Sequence, residues 1–154
     1  MLFRSSLAEP LHVFVVSLDQ LREYQAGRDP NALLSDANQV HYQVNVGDQA
    51  RCSIVVESVD GKWRSASVGN AGLAKQLSVV RKSTVAPASL ADTIVQVRAL
   101  GVYFVGSRGA DNKLMLTSLV DTQAANLRAG ATQSADEVFA ALAPLARKYN
   151  GLPM

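Results

Sequence analysis

His41 and Cys52 are the first residues in this chain whose types could do chemistry together, since a cysteine becomes a nucleophile as a thiolate beside a base or cation. The pattern around them separates the pair. Val40, Tyr42, Val44 and Val46 alternate with His41, Gln43 and Asn45, the two-residue period of a strand with unlike faces. Cys52 falls on the apolar side of the neighbouring strand and His41 on the polar side, so Cys52 is expected to be a buried structural residue.

Phosphate binding is the next chemistry to weigh. Gly69-Asn70-Ala71-Gly72 could follow a strand and open a helix, where free N–H groups hold anions, but it lacks a third glycine and Lys75 does not directly follow Gly72. Gly106-Ser107-Arg108-Gly109 fails the Gly-x-Ser-x-Gly spacing of a nucleophile elbow and runs into a strand. Two histidines and scattered carboxylates show no ligand spacing, so no metal and no cofactor are expected. Asp136-Glu137 is explained by a helix N-terminus, which favours negative charge. These observations assign no catalytic residue. The residues left for binding are Tyr42 and Trp63, as a small aromatic platform, with His41 and Arg64 as polar neighbours.

The element that must position these residues is a three-stranded antiparallel meander over 38–68. A three-residue turn at Gly47-Asp48-Gln49 would set Val44 opposite Cys52, Tyr42 opposite Ile54 and Val40 opposite Val56; a two-residue turn would bring Arg51 against Val44. Asp60-Gly61 supplies the second turn, placing Trp63 opposite Ser58 and Glu57 opposite Arg64, a favourable cross-strand charge pair. One face then carries Val40, Tyr42, Val44, Cys52, Ile54, Val56 and Trp63 and is expected to be the core. The other carries His41, Gln43, Arg51, Val55, Ala66 and Val68, a mixed face expected to be covered by a partner, such as a second copy in a homodimer.

Around the meander, Val13-Phe14-Val15-Val16 reads as a strand covered on both faces. Ser17 with Gln20 makes a capping box, and Asp29-Pro30 marks a second helical start. Leu73, Leu77 and Val80 predict a helix, and 81–87 a linker. Ser89 with Leu90, Ile94 and Val97 predicts another helix stopped by Gly101. Strands follow over 102–107 and 113–120 as a hairpin, then a short helix from Asp121 to Gly130. Ser134 caps a final helix with Val138, Leu142, Leu145 and Tyr149 on one side and Pro144 inside it.

The expected fold is therefore α+β: a mostly antiparallel sheet of about six strands, a meander plus a second hairpin, with helices packed on its faces. The 154 residues suit one domain, 1–154, with two loosely similar halves, 11–81 and 88–151. A net charge of +2 without a dense basic cluster argues against nucleic acid. No run reaches the 18 or so apolar residues that span a bilayer. Sparse lysine with abundant Ser, Gln, Asn and Thr suits the mature part of an exported, periplasmic bacterial protein; a cytoplasmic site is the alternative. The function expected is a non-enzymatic binding or protein-interaction domain. The alternative is a hydrolase-like enzyme whose site joins residues distant in sequence, such as His41, Arg51 and Arg64.

Overall fold

The apolar run at 13–16 lies at the centre of the sheet. Its strand, β2 (Leu11–Val15), pairs antiparallel with β3 (Ser35–Val46) on one side and parallel with β6 (Ala91–Val97) on the other. The computed structural model describes residues 5–7, 10–25, 27–47, 49–69, 91–108 and 113–149. The helix predicted around Leu73–Val80 and the linker at 81–87 lie outside these. The remaining strands are β1 (Ser5–Leu7), β4 (Gln49–Val59), β5 (Lys62–Gly69), β7 (Val102–Arg108), β8 (Leu114–Ser118) and β9 (Thr132–Ser134). The order across the sheet is β5-β4-β3-β2-β6-β7-β8-β9, with β1 beside β3. The architecture is the expected α+β with a mostly antiparallel sheet. Nine strands among the described residues replace the expected six or so.

Of the three additional strands, β1, β6 and β9, the longest is 91–97, expected to be helical and found as β6. Leu90, Ile94 and Val97 do fall at helical spacing. However, Thr93, Ile94, Val95 and Val97 are all β-branched, stiff in a helix and favoured on a pleated surface. Gly101 does end a helical element, but only the 3₁₀ turn Arg98–Leu100, by taking the left-handed conformation at φ 65°. The helix expected from Asp121 to Gly130 is likewise only a 3₁₀ turn, Gln123–Ala125. The Asp121 carboxylate accepts from Ala129 N–H and holds the loop instead of opening a helix.

Two helices are described. In α1 (Leu18–Arg22) the Ser17 and Gln20 side chains form the predicted capping box; Ser134 caps α2 (Ala135–Lys148), accepting from Glu137 N–H. They are joined by reciprocal arginine bonds: Arg22 donates to the carbonyls of Ala146 and Tyr149, and Arg147 to those of Arg22 and Tyr24. These donors meet carbonyls that a helix end leaves unsatisfied. Val138, Phe139 and Leu142 of α2 share a core with Val95, Val97, Phe104 and Leu116 of the sheet. The opposite sheet face buries Leu11, Val13, Ile94 and Val105.

The meander keeps the expected central pairs, Val40–Val56, Tyr42–Ile54 and Val44–Cys52. Its turn differs. Val46 faces Gln49 directly, so the connection is the two-residue one, and the register shift past Val44 leaves Arg51 without a partner residue. A bulge thus absorbs the residue that a longer turn was expected to hold. A second bulge, at Ala66, puts Val68 opposite Ile54, where an unbroken ladder would set Ser67.

The larger correction concerns inside and outside. His12 pairs with both Val40 and Thr93, so the apolar face of the meander continues the helix-covered face of the sheet. α2 docks over β8 and β9 with α1 packed beside it, and neither helix makes a substantial contact with β3–β5. Val40, Tyr42, Val44, Cys52, Ile54 and Val56 are therefore half-buried, and Trp63, expected in the core, is 58% exposed. His41, Gln43 and Ser53, on the face expected to await a partner, are 2%, 6% and 5% exposed within the single chain. Composition had ranked the faces correctly by polarity, but the described helices reach only the far part of the apolar one.

Candidate functional site

β3, β4 and β5 bring three of the four expected binding residues to one place. A shallow groove of ≈ 370 Å³ is lined by Val40, Tyr42, Val56, Trp63, Arg64 and Ser65. Its floor is the half-covered apolar face, and its wall is the edge strand β5. The Asp60-Gly61 turn, with both residues at positive φ, fixes the register that sets Trp63 opposite Ser58. That tight turn is what holds a bulky ring over a face its neighbours only partly fill.

Arg64 lines the groove, while its guanidinium is tied to Glu57: Nη2 lies 2.8 Å and Nε 2.9 Å from Glu57 Oε1. This is the cross-strand pair expected from the register. Because Arg64 remains well exposed, the pair adds little stability. It orients the guanidinium and leaves its other N–H groups available. Val59, near the turn, is a second exposed large apolar residue.

His41, the fourth expected residue, is not part of this groove. It lies on the opposite face, opposite Leu11 and Val55 in the register. There Gln43 Nε2 donates to Asn45 Oδ1 at 2.8 Å, while Gln43 Oε1 meets no donor. Cys52, on the groove side, is a free thiol and half-buried rather than fully enclosed. The face assignment therefore keeps His41 and Cys52 apart, as alternation required. Among the described residues no group of three or more His, Cys, Asp or Glu converges as metal ligands would. No described helix is long and apolar enough to cross a membrane.

The openness of the groove was hidden from sequence reasoning because an apolar stripe looks the same whether or not a helix covers it. One signal was available: Lys62 and Arg64 flank Trp63, and such charges are typical of an edge strand. No family model, no curated protein and no solved structure matches the chain.

Proposed function

We propose that the protein is a non-enzymatic interaction domain, and that it docks an extended segment of another protein along β5 and over the Trp63 groove. The observation that carries this reading is the exposed Trp63 beside an apolar, half-covered sheet face. Trp, Tyr and Arg are the residue types enriched where interfaces concentrate their binding energy. β5 ends the sheet, with no strand beyond it among the described residues, so an added strand would find backbone groups to pair with.

Charge selects the partner. If β5 paired antiparallel with its own copy around Trp63, Lys62 would oppose Arg64 of the copy, and around Arg64 the two arginines would meet. Like charges directly opposite destabilise a ladder. A segment alternating apolar with acidic residues fits better. The homodimer expected through the His41 face has less to draw on there, since His41, Gln43 and Ser53 are already buried within the single chain.

Trp63 is the one tryptophan in the chain, so tryptophan emission, excited where tyrosine does not absorb, reports this groove alone. A peptide alternating valine or isoleucine with aspartate or glutamate should shift its emission to the blue, saturably, and less at high salt. Lys62→Glu should weaken the effect. Unchanged emission at every peptide concentration refutes the reading. A blue shift on concentrating the protein alone, with dimers in light scattering, assigns the surface to a second copy.

A further inference from the structure

Where the helix-covered and open parts of one sheet face meet, a second cavity of ≈ 310 Å³ lies between the 3₁₀ turn Pro30–Leu33 and strands β2, β6, β7 and β8. Phe14, Leu34 and Leu114 give it apolar walls; Asn31, Thr93, Ser107 and Arg108 are its polar members. Gly106 makes room for the Thr93 side chain beside it. A Cβ there would collide with Thr93 Oγ1 and meet Leu114 and Val95 at ordinary contact.

Arg108 is exposed and forms no ion pair among the described residues. One carboxylate stands nearby. Asp29 Oδ1 accepts from Asn31 N at 3.0 Å and Asn31 Nδ2 at 2.9 Å. These bonds, and more weakly the charge of Arg108, hold the Asp29 carboxyl below its ordinary range. The amide of Asn31 is thereby turned so that its Oδ1 is buried without a donor.

We propose that this cavity binds a small organic carboxylate, its apolar body against Phe14, Leu34 and Leu114 and its charge on Arg108. The planar guanidinium matches a carboxylate in two parallel bonds. A single negative charge fits better than a phosphate dianion, because Asp29 repels each added charge. The volume is the liquid share of about ten waters, at about 30 Å³ each, which suits a ligand of roughly ten non-hydrogen atoms. It stands at the small end of ligand pockets.

Phenylacetate is a probe of that size, and phenylacetamide is its neutral counterpart. Titrated into the full chain, phenylacetate should move the amide resonances of Thr93, Ser107 and Leu114, and phenylacetamide should do so far more weakly. Arg108→Gln should reduce calorimetric affinity by about tenfold, the lower end for a hydrogen bond to a charged group. Asp29→Asn keeps a capping side chain for the turn and should tighten binding by removing the repelling carboxylate. Absent shifts, equal binding of the two compounds, or an affinity that either variant leaves unchanged overturns the proposal. Trp63 is not among the lining residues, so failure here leaves the peptide experiment unaffected.

Discussion

Replacing Phe139 by alanine should destabilise the protein far more than replacing Trp63, although tryptophan is the larger side chain. Phe139 is fully buried in the core under α2 and meets Tyr24 edge-on, ring centroids 5.9 Å apart at 76°. Deleting such a ring removes its transfer energy and leaves a cavity, about 3–5 kcal/mol in all. Trp63 is 58% exposed, so about two fifths of its surface is covered. For a ring system of about 250 Å², that is ~100 Å² at ~25 cal/mol/Å², or about 2.5 kcal/mol. This is an upper bound, because an unfolded chain already hides part of that surface and an exposed site leaves no cavity. Trp63→Ala should therefore cost about 1–2 kcal/mol. Urea melts of the two variants, compared at equal m-values, measure the difference. Equal losses, or a larger loss for Trp63→Ala, would show that the groove face is the covered one and remove the basis of the docking surface.

Three further outcomes are expected. Tyr24 donates to Asp136 Oδ1 at 2.8 Å, and burial, then that bond, pushes its pKa up to about 12. Its folded value lies above the unfolded one of about 10, so its contribution is complete below pH ~10 and is lost as pH rises toward the folded value. An absorbance titration should show one of the four tyrosines ionising last, and Tyr24→Phe should remove that step and cost about 1.5 kcal/mol. Asp36 behaves oppositely. Its carboxyl is held below the ordinary range first by Asn38 N–H, 2.7 Å away, and then by His12, 3.0 Å away. Its contribution is present above pH ~4 and is lost as pH falls through the lowered value, so denaturant midpoints of Asp36→Asn should fall less steeply in acid. Gly106→Ala should cost about 1–3 kcal/mol through the collision with Thr93 Oγ1. Adding Thr93→Ala should recover part of that loss; strictly additive effects would place the strain elsewhere.

The features legible in the sequence are those that neighbours along the chain decide. Ser17 with Gln20, Asp29 before Pro30, and Ser134 before Glu137 all cap the elements they announce. Asp60-Gly61 sets its hairpin, and the Glu57–Arg64 pair confirms the register. The illegible features depend on distant chain. Nothing local says that 91–97 becomes a strand beside β2, since Ile94 and Val97 suit a helix stripe equally well. Nor does any local pattern reveal that α2 covers Phe104 and Leu116 while no described helix covers Tyr42 and Val56. Tyr42 and Trp63 were identifiable as same-face neighbours through the register, whereas Arg64, set by alternation on the Glu57 side, lines the groove from the edge strand. His41 was misplaced because adjacency along a strand means opposite faces, and a residue next to a site in sequence can lie behind it. The cavity beside Arg108 could not be foreseen, as its members come from Phe14, the 30–34 turn and three later strands.

The parallel pairing of β2 with β6 also has a consequence in time. Val13 and Ile94 are neighbours in the sheet yet stand about 80 residues apart in the chain. The meander and the β7–β8 ladder need only short closures, and hairpins form within about 1–10 μs. The β2–β6 seam must instead bring together two segments across a long, entropically costly loop, so it belongs to the late part of folding. Until it closes, β2 and β6 each present an unpaired apolar edge, Val13-Phe14-Val15 and Thr93-Ile94-Val95, to any chain nearby. Two unfinished molecules can satisfy those edges by exchange, β2 of one against β6 of the other. Aggregation during refolding should therefore rise with protein concentration and fall when the seam edges carry a charge.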